Sequence, residues 1–433
     1  MTRSDVVVVG GGPSGVCAAL AAAQAGSSVT LLEKAGFLGG TATGAMVAAF
    51  NGFYWGDVLV AGGIPGRVVK RLAEDGGTTG FRDYTAGELT GSPFTFKVLP
   101  FDPEVLKFVL DDLMREAGVQ VVHHVQGMSA RIEPGRGADI DYLGPVIGGS
   151  IKARQVVDAT GHATIAVNAG AELQQISRER QPMTLMMRVS GVNHEAVAAL
   201  GRKEKRRIVE HGIETGRLFY RTLATSRSPR NQDVFLLMTS VHGMDGTDEF
   251  DLTAAEVEGR RQARSTLHFL KEFLPGYESA EIAQLAPWIG VRESRRIMGR
   301  TTLTAADVLA GADHPDAISF GAGPIDLHEY DTVTLTAPKR PFAVPLGVLV
   351  PRRVDNITVA GRAVSAEAGA MDGLRHMGGV MPLGHAAGVL ASLAASHVVT
   401  PSAVDPQELR SLLREQGAIV DRPDEKSSTE RIA

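Results

Sequence analysis

Apolar positions along the chain follow two rhythms. Val6-Val7-Val8-Val9 is a β-branched run without alternation, the pattern of a parallel strand buried on both faces. After a glycine turn, Val16, Ala19, Leu20 and Ala23 recur at i, i+3, i+4 and i+7, which predicts a helix closed at Gly26. Val29–Glu33 reads as the next strand, so the chain opens on a βαβ unit. Asp102-Pro103 predicts a second helix start, with a side-chain cap and proline at the first helical position. Leu106, Val109, Leu110 and Leu113 form its stripe and Gly118 ends it; strands follow over 119–125 and 155–159. Residues 50–100, rich in Gly, Phe and Pro with weak periodicity, read as active-site and linking loops.

From about 170 to 335 the rhythm changes. Short strands (Leu185–Val189, Val234–Met238) mix with an amphipathic helix (Glu256–Phe273). A strand over Asn356–Ala360 and a small-residue helix near 380–395 then return to the opening pattern, and Asp405-Pro406 starts a last helix. The expectation is an α/β, Rossmann-type dinucleotide-binding domain in two pieces, 1–170 and 336–400. An α+β substrate domain, 171–335, is inserted between them, and 401–433 forms a C-terminal helix and a charged, disordered tail.

A length of 433 residues suits two interleaved domains better than one core. Net charge is −5, which leaves no basic footprint for nucleic acid. The densest cationic run, Arg202–Arg207, contains Glu204 and reads as a solvated helix face. With Cys17 the only cysteine, neither a disulfide framework nor a redox Cys pair exists within one chain. Met1-Thr2-Arg3-Ser4 leads straight into a strand without a leader pattern, and no apolar run approaches the ~20 residues of a membrane span; the expected location is the cytoplasm, with no membrane partner.

The chemistry begins at Gly10-Gly11-Gly12-Pro13-Ser14-Gly15, a G-x-G-x-x-G between strand and helix. Gly10 permits the tight turn, Gly12 lets backbone approach a pyrophosphate, and Gly15 allows close helix–strand packing. Free N–H groups at the helix start favour phosphate. Glu33 ends the second strand, where a carboxylate accepts from a ribose hydroxyl. Lys34 and a glycine-rich loop, Gly39-Gly40-Thr41, follow at once and suit FAD better than a nicotinamide dinucleotide. Val359-Ala360-Gly361-Arg362 and Met377-Gly378-Gly379-Val380-Met381 are distant partners. The latter opens a helix whose positive end suits the N1–C2=O edge of a flavin; plain packing is its alternative.

These pieces resemble the FAD-dependent oxidoreductases related to the fumarate reductase and succinate dehydrogenase flavoproteins, and within them a bacterial branch with an Arg-Glu-Ser-Arg-Arg signature. Here that signature is Gly290–Gly299, followed by Asp307–Gly311; Phe101–Glu104, Asp158-Ala159-Thr160-Gly161, Pro351-Arg352 and Ala360-Gly361-Arg362 also match. The resemblance spans residue 5 to about 417. It implies FAD, redox chemistry on a small molecule, and cofactor contacts that include Val125, Ala159, Thr160 and Gly161. The chain departs from it where a His-Glu pair gives way to Ala366–Gly369, a Pro-Thr pair to Gly378-Gly379, and an apolar residue to His376. No His or Cys lies near Gly39–Thr43 to hold a flavin covalently, so FAD is expected to be noncovalent and no metal is expected.

On the substrate side, a strand over 291–298 would place Arg292, Ser294 and Arg296 on one face and Glu293 and Arg295 on the other. Arg292 and Arg296 are then candidates for clamping an anionic substrate, with ion pairing to Glu293 as the structural alternative. His376 is the candidate acid or base, with plain packing as its alternative. His123 and His124, on opposite faces of one strand, are assigned no function. The expected activity is hydride transfer from a substrate C–H bond to flavin N5, with oxygen or a redox partner as acceptor and a homo-oligomer as one arrangement. Two other readings stay open. One is a flavin monooxygenase, although those usually carry Gly-Asp where this chain has Gly361-Arg362; the other is an electron-relay subunit without chemistry of its own.

Overall fold

The computed structural model describes residues 3–86, 93–133, 137–175, 178–328 and 333–423. Strand β1 (Arg3–Val9) is the centre of a seven-stranded sheet, flanked in parallel by β2 (Val29–Leu32) and by the strand Gly148–Asp158. Val8 sits between Leu31 and Val157. The missing alternation in Val6–Val9 now has its reason. Val6 and Val8 face one core and Val7 and Val9 the other, and all four are buried. Strand Ile357–Val359 returns from far along the chain and pairs in parallel with Gly148–Asp158, setting Val359 beside Asp158.

Helix α1 (Pro13–Gln24) lies on this sheet, and the helix Met377–His397 lies on α1. The second contact depends on small residues. A Cβ at Gly384 would overlap the Ser14 carbonyl, and one at Gly388 the Ala18 carbonyl, so two glycines one turn apart let the backbones touch. This helix corrects one expectation. At 21 residues and mean hydropathy 1.3 it is long and apolar enough to span a membrane, yet it is buried against α1 and the sheet.

Several boundaries also move. The loops expected over 50–100 contain a helix, α2 (Ile64–Glu74), and a three-stranded antiparallel sheet of Ala49–Asn51, Phe94–Pro100 and Arg82–Ala86. Ile64, Val68, Val69 and Leu72 are its buried face, a stripe that Pro65 and Gly66 obscure in the sequence. Helix α3 (Pro103–Glu116) starts as read, with the Asp102 carboxylate accepting from the N–H groups of Glu104 and Val105. The strand expected over 119–125 shortens to Gln120–Val122. His124 takes a left-handed conformation (φ 59°), so His123 and His124 do not share a strand.

The middle of the chain forms a separate four-stranded antiparallel sheet, ordered Thr225–Arg227, Val234–Leu236, Met187–Ser190, Glu281–Leu285. Helix Glu249–Phe273 covers it with Ala263, Leu267 and Leu270. That helix begins about two turns earlier than its apolar stripe suggests, because the Asp248 carboxylate caps it. No strand forms over 291–298: the segment is extended, tied only at its ends by bridges of Gly290 to Thr184 and Ile297 to Leu173. The last helix, Pro406–Glu415, is capped by Asp405; of the tail read as disordered, 424–433 lie outside the described residues.

Candidate functional site

At the carboxyl ends of the parallel strands, backbone converges from four parts of the chain. Gly10 turns with φ 100°, and a Cβ there would sit 2.6 Å from the Ala159 carbonyl oxygen. Gly15 packs on Gly10 so closely that any side chain would overlap its carbonyl. Gly12 differs from both. It is the N-cap of α1, it has no side-chain cap, and a Cβ there would meet nothing within 4 Å. The protein therefore leaves open the one position where a phosphate would sit, with the first N–H groups of α1, Ser14 and Gly15 among them, unpaired by the helix.

The remaining cradle residues gather around this gap. Gly39 N–H donates to the Gly11 carbonyl (2.8 Å), and Gly40 packs on the Gly12 Cα, while Thr41 O accepts from Val47 N–H in the same loop. Glu33 is buried; its two oxygens accept from the N–H groups of Gly11 (2.6 Å) and Ala35 (2.8 Å), which orients the carboxylate and leaves lone pairs for a ribose hydroxyl. Val125 N–H donates to the Glu33 carbonyl. Ala159 N–H is bound to Val9 O, and Thr160 caps back onto Asp158 (2.7 Å). Ser14 Oγ donates to the Val380 carbonyl (2.8 Å), which fastens the first motif to the Met377–His397 helix beside Met381.

Arg362 carries the charge of this region. Burial pulls its guanidinium down to about 10, and among the described residues its Nε has no hydrogen-bond partner and Nη2 meets the His162 Nε2 (3.2 Å) beside Gly161. Burial first, then Arg362, exposed Lys34 and Arg295, hold His162 far below its usual value, so it is neutral. A buried cation with unused donors beside an open helix start is matched by a diphosphate. The donor set fits FAD.

The glycines at 378 and 379 serve packing: a Cβ at Gly378 would press on Asn51–Phe53, and one at Gly379 on the Leu374 carbonyl. The helix starts at Met377, and the N–H groups of Gly379 and Val380 are bonded to the His376 carbonyl. Met377 and Gly378 keep the free N–H groups at its positive end.

Next to that helix start lies a dense polar cluster, most of it absent from the sequence reading. Arg296 forms a buried ion pair with Glu293 (2.6 Å), two residues that a strand would have put on opposite faces. Glu293 also accepts from Arg178 (3.2 Å) and from Gln181 N–H (3.0 Å). Arg178 reaches on to Asp372 (2.7 Å), whose carboxyl burial raises to about 6 against the pull of Arg375 and Arg178. Asp326 accepts from His328 Nε2 (3.0 Å) and Arg375 Nη2 (2.9 Å); burial works to raise its carboxyl, but those two partners hold it well below the usual range. His328 Nδ1 faces the Tyr220 hydroxyl (3.3 Å). His376, the N-cap residue of the long helix, is buried with its Nδ1 unpartnered, and burial and then Arg375 lower it to about 4.

Arg292 stands apart from these pairs. Its Nη1 donates to the Pro182 carbonyl and Thr184 Oγ1 (2.6 Å each), burial and then Arg375 lower it to about 10, and among the described residues no carboxylate lies within ion-pairing distance. Nη2 and Nε stay available. Of the arginines proposed from the sequence, Arg296 is committed to Glu293 and Arg292 retains a free fork. The Asp326–His328 pair had a readable signal, since positions i and i+2 of one strand, Ile325–His328, share a face. Arg178, Gln181 and Tyr220 had none.

A Rossmann sheet with a dinucleotide cradle, joined to a second antiparallel sheet across a polar cluster, defines a flavoenzyme. A family model described as FAD dependent oxidoreductase matches residues 5–413, and the chain belongs to that family of FAD-dependent enzymes. Among curated proteins it resembles thiamine thiazole synthase of Aeropyrum pernix, 32% identical over 39% of this chain and 59% of that protein. A shorter stretch, 17% of this chain and 12% of the relative, is 48% identical to urocanate reductase of Eggerthella lenta. The chain thus spans less than two thirds of the curated relatives it matches. Among solved structures, a geranylgeranyl bacteriochlorophyll reductase-like protein of Thermoplasma acidophilum covers 96% of this chain and 84% of its own, at 16% identity and TM-score 0.49.

Proposed function

We propose that this enzyme oxidises a small organic anion, holding its carboxylate on Arg292. When bound, FAD supplies the two-electron acceptor. The single observation behind the reading is the unpaired fork of Arg292, among three other arginines that are all tied to carboxylates. A guanidinium with one edge anchored on Pro182 O and Thr184 Oγ1 presents its other donors in a fixed plane, the geometry that a carboxylate meets with two parallel hydrogen bonds. Arg375 and Arg296 hold their own acids and add positive potential. His376, neutral and unpartnered at Nδ1, can accept or return a proton at that atom. In this reading Gly290–Gly299 is the signature of the fumarate reductase-related branch.

The test is titration of the FAD-loaded protein with propionate, succinate and phenylacetate, followed by flavin absorbance. Arg292→Lys keeps the charge but loses the fork, so affinity for whichever acid binds should fall about tenfold with FAD content unchanged. If none of the acids perturbs the flavin, or the variant binds them as the parent does, Arg292 is not the anion site.

A further inference from the structure

We propose that Tyr220, His328 and Asp326 form a proton relay beside Arg292, and that the substrate is a 2-hydroxy carboxylate whose hydroxyl donates to Tyr220. This rests on the Arg292 reading above.

The direction of every hydrogen bond in the chain follows from chemistry. Asp326 is ionised and can only accept, so its 3.0 Å contact requires a proton on His328 Nε2. Burial, which Asp326 opposes and Arg292 supports, lowers His328, so the ring is neutral near pH 7 and Nδ1 is an acceptor. The Tyr220 hydroxyl at 3.3 Å must then donate to Nδ1. Its oxygen is left with lone pairs for a substrate donor. Arg375 Nη2 holds the second Asp326 oxygen (2.9 Å), and Gln181 fixes the strand by accepting from His328 N–H (3.1 Å) and donating to the Asp326 carbonyl (3.0 Å). A phenol, an imidazole and a carboxylate in series, each proton pointing the same way, form a path for one proton.

The groups facing this path come from every segment packed on it. Arg292, Tyr84 and Arg375 are electrostatic neighbours of Tyr220, and Arg292, Arg375 and Asp326 of His328; His376 lies beside both Asp326 and His328. An anion clamp and a proton acceptor thus sit together. Such a pair suits a carboxylate with a hydroxyl on the adjoining carbon. As the substrate C–O bond becomes C=O, its O–H proton passes to the Tyr220 oxygen while the Tyr220 proton passes to His328 Nδ1. The imidazolium is held by Asp326, and FAD, when bound, would supply the acceptor for the hydrogen that leaves the same carbon with its electron pair. The substrate loses two electrons, carried as one hydride, and one proton, giving a 2-oxo acid. Tyr220 is the catalytic residue here, and His328 and Asp326 position it.

The experiment pairs each deoxy acid with its hydroxy counterpart on the FAD-loaded protein: propionate with lactate, succinate with malate, phenylacetate with mandelate. Anaerobic dissociation constants and the rate of flavin bleaching are measured from pH 5 to 9. At least one hydroxy acid should bind about tenfold more tightly than its deoxy partner and bleach the flavin. Tyr220→Phe should erase that preference and slow bleaching at least a hundredfold, with deoxy-acid affinity and FAD content intact. The preference should also fade in acid as His328 protonates, and that pH dependence should vanish in His328→Gln, which a merely structural histidine would not produce. Should Tyr220→Phe not hold FAD, the parent's hydroxyl preference and its acid limb decide alone. Deoxy acids that bind through Arg292 with no hydroxyl preference, or a preference that survives in Tyr220→Phe, would overturn the relay and leave the clamp standing. Loss of all binding, or binding indifferent to Arg292→Lys, would overturn the clamp and the relay with it.

Discussion

The cofactor cradle and the polar cluster are built in opposite ways. The cradle is made mostly of backbone, from a few short motifs each local in sequence, and its specificity lies largely in side chains that are missing. The cluster is made of long charged side chains drawn from residues 178 to 376, and its geometry lies in which cation holds which acid. Removing an atom from the cluster does harm; adding one to the cradle does. That contrast can be tested in both directions.

The largest effect should come from adding methyl groups to the cradle. Gly12→Val has room within the protein itself, so the variant should fold with the melting temperature of the FAD-free parent and yet retain under about a tenth of the parent's FAD. Gly15→Val, three residues on, has no room and should cost at least ~1–3 kcal/mol of folding stability, because a side chain there overlaps the Gly10 carbonyl. Flavin absorbance per mole and thermal melting separate the two. If Gly12→Val keeps stoichiometric FAD, the open helix start is not the phosphate site.

Removal from the cluster comes next. Glu293→Gln leaves buried Arg296 facing a neutral partner and takes one acid from half-buried Arg178, and the loss should be about 3–5 kcal/mol in denaturant unfolding. A loss below 1 kcal/mol would show that water reaches the pair.

The acid response of the cluster is smaller. His376 is lowered to about 4, so neutral histidine is favoured in the folded state, and its contribution is full above the unfolded value near 6.5 and lost as pH falls toward 4. Asp372, raised to about 6, acts oppositely: its contribution is present below 3.8 and lost as pH rises through 6. His376→Gln should therefore flatten, and Asp372→Asn steepen, the rise of stability between pH 4 and 6, each by ~1–3 kcal/mol. Unfolding curves at five pH values in that range would show it; equal slopes in all three proteins would mean that neither group titrates there.

The smallest effect sharpens the boundary between the regions. Ser14→Ala removes one buried bond from the cradle to the long helix, leaves the Val380 carbonyl short of a donor, and should cost ~1–2 kcal/mol with FAD retained.

Legibility in the sequence divides along the same line. Gly10, Gly12, Gly15 and Glu33 were readable because a tight turn, an open helix start and a strand end are local conformations that particular residue types permit. The Asp102 cap and the buried Val6–Val9 run were readable for the same reason. Helix α2 was hidden by Pro65 and Gly66, which break the periodicity without breaking the helix because proline sits in its first turn. The 291–298 segment misled in another way. Read as a strand, it would put Arg296 and Glu293 on opposite faces, but Glu293 binds Arg296 three residues on, and the other side chains are fixed by Pro182, Thr184, Gly161 and His162, partners that no spacing within the segment could reveal.

The sequence by itself determined the Rossmann unit, the open helix start at Gly12, and the starts of the capped helices, because each depends on steric limits and hydrogen bonds within a few residues. Only the tertiary structure decided that Arg296 is spent on Glu293 while Arg292 keeps a free fork, and that Tyr220 meets His328. Those outcomes depend on how burial strips water from charges and makes each one take the nearest acid, and distance across the fold is set by packing and not by position along the chain.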